Sequence, residues 1–96
     1  MILVRDIFQV KFGKMKDARD LWKQMIKLFP GSNKPRLLTD LTGPYYTLVM
    51  ETTYKSLADY EAMMRQEMSA AGMGELYQKF VPLVDSGRRE IFTIVE

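Results

Sequence analysis

Apolar and polar positions alternate with two different periods along this chain, and the changes of period mark out its elements. Residues 2–12 place apolar side chains at the even positions Val4, Phe8, Val10 and Phe12, broken only by Asp6. The odd positions Leu3, Arg5, Ile7, Gln9 and Lys11 are mixed. A period of two in a segment rich in β-branched and aromatic residues predicts a strand with one apolar and one mixed face. Gly13 ends it. Over residues 14–29, Ala18, Leu21, Trp22, Met25, Leu28 and Phe29 recur at helical spacing, with Lys16, Asp20, Lys23 and Lys27 on the opposite side. Pro30-Gly31-Ser32-Asn33 supplies stop and turn chemistry.

Residues 35–42 and 45–54 read as two further strands, the second richer in strand-forming types. The two-residue link Gly43-Pro44 between them predicts an antiparallel hairpin. Ser56 opens a second helix, with Asp59 three residues on as in a capping box. Its apolar stripe runs through Leu57, Tyr60, Met64, Met68 and Ala71 until Gly72 and Gly74 interrupt it. Helical spacing resumes over residues 75–84 through Leu76, Phe80, Leu83 and Val84, and Pro82, which lacks an amide donor, shortens or bends that segment. Asp85-Ser86-Gly87 reads as a turn and residues 88–96 as a closing strand. The order βαββαβ predicts an α+β, ferredoxin-like fold: a four-stranded antiparallel sheet with helices on one face.

Composition narrows the chemistry more than it defines it. Ninety-six residues are expected to form one domain, 1–96. The chain has neither cysteine nor histidine. Disulfides, thiolate metal sites and cysteine nucleophiles are thereby excluded, as are the usual neutral-pH base and the commonest metal and haem ligand. We expect no metal and no cofactor. No apolar run is long enough to span a membrane, and the early charges Arg5 and Asp6 argue against a signal peptide, so a cytoplasmic location is expected. Net charge is +2 but uneven, with nine Lys/Arg against four acids in residues 1–48 and five against eight in residues 49–96. That asymmetry fits either a polyanion partner or two chains docking through complementary faces.

Several residues carry two readings. Asp6, on the apolar face of the first strand, is either a base or orienting acceptor in a pocket, or a strand acid paired with an Arg. Trp22 is either a cavity wall or core, and Met63, Met64 and Met68 are either a soft pocket lining or gap-fillers. Tyr45 and Tyr46 are adjacent in a predicted strand, so at most one of them faces a pocket. Glu51 is a seam ion-pair partner for Arg5, Arg36, Arg88 or Arg89, or else a catalytic carboxylate. The basic face of the first helix (Lys16, Arg19, Lys23, Lys27) is interrupted by Asp17 and Asp20, as a solvated face would be. RNA binding is not expected: residues 45–52 (YYTLVMET) do not supply the basic residue, glycine and aromatics at the set spacing that an RNA-binding sheet of this topology carries.

The chain resembles the dimeric α/β-barrel superfamily, which includes antibiotic-biosynthesis-monooxygenase-like and NIPSNAP-like proteins. The resemblance rests on the first strand running into Phe12-Gly13-Lys14, on Leu21-Trp22, on residues 50–57 (METTYKSL) and on residues 86–92 (SGRREIF). It implies a homodimer in which two sheets face each other across a two-fold axis. Leu3, Arg5, Ile7 and Glu51 would then lie in the seam, whose mixed polarity such an interface accommodates if the charges pair. It also implies a pocket between sheet and helices within each subunit, lined here by Phe8, Trp22, Met25, Tyr60, Met64 and Phe80, with Asp6 as the acid/base candidate. The haem-degrading branch is excluded, because its Asn, Trp and His fall on Asp6, Met63 and Met73. What the resemblance leaves is a cofactor-independent monooxygenase or related enzyme acting on a small hydrophobic or aromatic molecule. The alternative is a non-catalytic ligand-binding or assembly module on the same fold.

Overall fold

The computed structural model describes residues 1–95. The long first strand, β1 (Ile2–Val10), becomes the middle of the sheet because both its neighbours come from elsewhere in the chain. β3 (Thr47–Tyr54) pairs with one edge and β4 (Val84–Thr93) with the other, while β2 (Arg36–Thr39) lies outside β3. All three pairings are antiparallel, giving the order β2-β3-β1-β4. Between the strands run α1 (Met15–Lys27), α2 (Leu57–Met68), α3 (Met73–Phe80) and one turn of 3-10 helix (Val81–Leu83). This is the predicted α+β, ferredoxin-like arrangement. No helix among the described residues is long and apolar enough to cross a membrane.

Side-chain alternation along β1 and β3 sorts the two faces of the sheet. Val4, Val10, Leu48, Met50 and Tyr54 are buried on the helix side. Val10, Leu48 and Met50 form one core with Ala18, Trp22 and Met25 from α1 and Met73 and Phe80 from α3. Three aromatic rings tie this core together: Trp22 stacks on Phe8 at 5.8 Å between centroids, and Phe80 meets Phe8 and Trp22 edge-on at 5.0 and 5.3 Å. The opposite face carries the ion pairs Arg5–Glu51 (3.1 Å), Arg36–Glu51, Arg5–Glu90 (3.7 Å) and Arg88–Glu90 (3.5 Å). Leu3 is half-buried there. Ile7, on the same face, is only 7% exposed within the single chain.

Four local expectations are corrected. β1 stops at Val10, because Lys11 turns away through a backbone bond from Lys14 and Gly13 adopts a left-handed φ of 80°. The β2–β3 connection spans residues 40–46 instead of two residues. Asp40 holds it by accepting from the Thr47 amide at 3.0 Å, and Tyr46 takes a left-handed φ of 60°. Tyr45 and Tyr46 therefore sit in that connection against Phe12, at 6.0 and 5.0 Å, and neither is a strand residue. Asp85-Ser86-Gly87 is strand, not turn: Ser86 and Gly87 pair with Gln9 and Phe8 of β1. Gly87 is required there, since a Cβ would lie 2.9 Å from Phe8 Cδ1.

The second helix also departs from its predicted stripe. Ser56 caps it as expected, accepting from the Asp59 amide at 3.2 Å. Leu57 and Met68, however, are 60% and 71% exposed, and the buried residue of α2 is Glu67.

Candidate functional site

Three strands and α2 converge on one polar cluster at the wall of a largely apolar cavity of about 710 Å³. Asp6 stands opposite Met50 of β3 and Arg89 of β4, so all three side chains emerge on the helix side of the sheet. Arg89 Nε donates to Asp6 Oδ1 at 2.5 Å. The same guanidinium lies 5.7 Å from the centroid of the Tyr60 ring, a cation–π distance. Tyr60 in turn meets Tyr54 edge-on at 5.3 Å.

Tyr60, Met64 and Glu67 follow one another at i, i+4 and i+7, so α2 presents all three to this region. Glu67 has neither an ion pair nor a side-chain hydrogen bond among the described residues, although it is 8% exposed. Burial pushes its carboxyl up to about 7, the neighbouring Asp6 carboxylate pushes the same way, and Arg89 opposes both. Burial also raises the Tyr60 phenol, against the pull of Arg89, and raises the Tyr54 phenol, with Glu67 adding to it. Two buried polar atoms lining the cavity lack partners: Trp22 Nε1 and Tyr60 Oη. Most of the remaining wall is apolar, including Phe8, Phe29, Met73 and Phe80, with Thr52, Asp85, Ser86 and Arg88 as further polar members.

The structure thus gathers Asp6, Phe8, Trp22, Tyr60, Met64 and Phe80 around one space. Met25 does not join them. It is fully buried between helix and sheet in the core, because its place in the α1 stripe points it beneath the wall that Trp22 forms. Trp22 is both core and wall, so its two readings coexist. Glu51 stands on the other face of the sheet, bridging Arg5 and Arg36, away from the cavity. Leu3, Arg5 and Ile7 share that face. Neither Tyr45 nor Tyr46 lines the cavity.

Glu67, Arg89 and Tyr54 are the site residues that sequence reasoning missed. The sequence offers Arg89 only as a partner for Glu51. A signal for Glu67 existed: counting from Tyr60, a helical stripe passes through position 67 as readily as through 68. Hydrophobicity favours Met68 in that choice, and the fold takes Glu67.

No family model matches this chain, and no curated protein matches it. Solved structures do match in fold. An uncharacterised NIPSNAP domain protein from Burkholderia xenovorans superposes with a TM-score of 0.82 at 13% identity, covering 99% of this chain and 95% of that one. A NIPSNAP family protein from Agrobacterium tumefaciens gives a TM-score of 0.86 at 16% identity, over 99% and 86% of the two chains. A structure described as an antibiotic biosynthesis monooxygenase gives 0.75 at 13% identity, over the whole of both chains. The fold is therefore that of the NIPSNAP and antibiotic biosynthesis monooxygenase structures, as the sequence resemblance implied. A shared fold of this kind hosts many functions, so function has to be argued from the site.

Proposed function

We propose that the chain takes a small hydrophobic molecule into the cavity between sheet and helices and acts on it as a monooxygenase or related enzyme that needs no cofactor. The supporting observation is an apolar cavity of about 710 Å³ with Asp6, Arg89, Tyr60 and Glu67 on one wall. A volume in the range of small-molecule sites, with few polar groups converging on one end, is the usual form of such a site. Of the two pocket roles open to Asp6, free base or orienting acceptor, the Arg89 ion pair supports the second. The same ion pair favours the alternative reading of a non-catalytic binding module, because it ties up the acid/base candidate. The test is a panel of hydrophobic phenols and hydrocarbons followed by thermal shift and oxygen uptake. Stabilisation with oxygen consumption supports the enzyme. Stabilisation without turnover supports the binding module, and no stabilisation by any compound defeats both.

A further inference from the structure

We propose that the polar wall of the cavity recognises an uncharged ligand through an acceptor oxygen, a ketone or other carbonyl, with the Glu67 carboxyl donating the hydrogen bond. This deepens the function proposed above and rests on the cavity being a ligand site. The argument is an inventory of donors and acceptors. Trp22 Nε1 can only donate, and it is buried without a partner. It belongs to a side chain that is 4% exposed and lines the cavity against Phe8, two residues along β1 from Asp6. Tyr60 Oη is likewise buried, and although Arg89 stands on its acceptor side, its own O–H has no acceptor. Unmade hydrogen bonds of this kind are costly in a folded protein, and a ligand acceptor reaching them would relieve that cost.

The charges on the same wall decide which acceptor. Of the two arginines lining the cavity, Arg89 has its charge balanced by Asp6 and Arg88 pairs with Glu90 at 3.5 Å, so neither brings an uncompensated positive charge to an anionic ligand. A ligand carboxylate would instead face the Asp6 carboxylate. A ligand cation would meet Arg89, which already occupies the position over the Tyr60 ring. A neutral ligand avoids both penalties, and a neutral Glu67 completes a donor set with Trp22 and Tyr60. The titratable groups bearing on Glu67 are Asp6 from β1, Tyr54 from β3, Arg89 from β4 and Tyr60 from its own helix. Tyr77 from α3 and Asp85 and Arg88 from β4 line the same cavity. Burial and the Asp6 charge both favour the neutral carboxyl, which holds its proton up to about pH 7.

Three naphthalene probes of similar shape test this by calorimetric titration of the full chain at pH 6 and pH 8: 2-acetylnaphthalene, 2-naphthoate and 2-ethylnaphthalene. The expected result is that the ketone binds about tenfold more tightly at pH 6 than at pH 8, since a group titrating near 7 loses about nine-tenths of its protonated form over that interval. The carboxylate binds at least about tenfold more weakly than the ketone at both values, and the hydrocarbon shows no pH dependence. Glu67→Gln keeps a donor and should bind the ketone equally at both pH values. Glu67→Met should lose the pH dependence and narrow the ketone's advantage over the hydrocarbon to what Trp22 and Tyr60 still supply. Equal binding of naphthoate and ketone overturns the inference, as does a pH dependence that survives in Glu67→Gln. Binding of the hydrocarbon with no advantage to the ketone overturns it while leaving the cavity reading intact. Failure of all three probes removes the cavity reading and this inference with it.

Discussion

At the scale of single residues, Glu67 ties folding to pH. Its carboxyl titrates near 7 in the folded chain, against an ordinary value of 4.5. The folded state therefore holds a proton between those two values that the unfolded state has released. Stability must fall as pH rises across that window and level off above it. Glu67 is nearly buried, so the effect is on the order of 2–3 kcal/mol. Urea unfolding at pH 5 and pH 8 measures it. The native chain should be less stable at pH 8, and Glu67→Gln, which removes the titrating group, should flatten the difference. An unchanged slope in that variant would place the proton elsewhere.

At the scale of elements, the sheet depends on a missing side chain. Phe8 lies across β4 at Gly87, and its ring then reaches Trp22 and Phe80. Gly87→Val would put a Cβ about where the Phe8 ring edge now stands and push the aromatic triad out of place. Overpacking of this kind costs about 1–3 kcal/mol, which chemical denaturation should report together with altered Trp22 fluorescence. The Gly87→Ala change should lie lower on the same scale. Sequence periodicity shows why this contact was hidden. Asp85-Ser86-Gly87 has turn composition, and only pairing with Gln9 and Phe8 makes it strand. The second helix was hidden in a different way. Its Ser56 cap was readable, but positions 67 and 68 fit the same stripe, and only the packed structure shows that Glu67 is the one buried.

At the scale of the whole molecule, one face of the sheet is covered by helices and the other is open. The open face carries the ion network of Arg5, Arg36, Glu51, Arg88 and Glu90. Leu38 and Phe92, 36% and 46% exposed, stand at its two edges. We propose that two such faces dock about a two-fold axis, as the resemblance implies, covering both hydrophobes and placing a set of largely self-satisfied charges in the seam. We expect sedimentation velocity at micromolar concentration to show a dimer, and the double change Leu38→Glu, Phe92→Glu to yield monomers that retain the native helical signal. A native chain that sediments as a single subunit would remove the dimer from the account and leave the cavity untouched.

The order and type of the elements were written in the sequence, because hydrophobic period is a local property that each segment carries by itself. So was the exclusion of histidine and cysteine chemistry, which depends on composition alone. The division of β1 into a helix face and an open face could also be read from alternation. Only the tertiary structure decided who meets whom across those faces. Asp6 finds Arg89 from 83 residues away, Glu67 rather than Met68 is the buried residue of its helix, and Met25 ends in the core rather than at the cavity. Periodicity states which side of an element avoids water; it carries no information about the distant groups that side will face, and those groups set the charge, the protonation and the chemistry of the site.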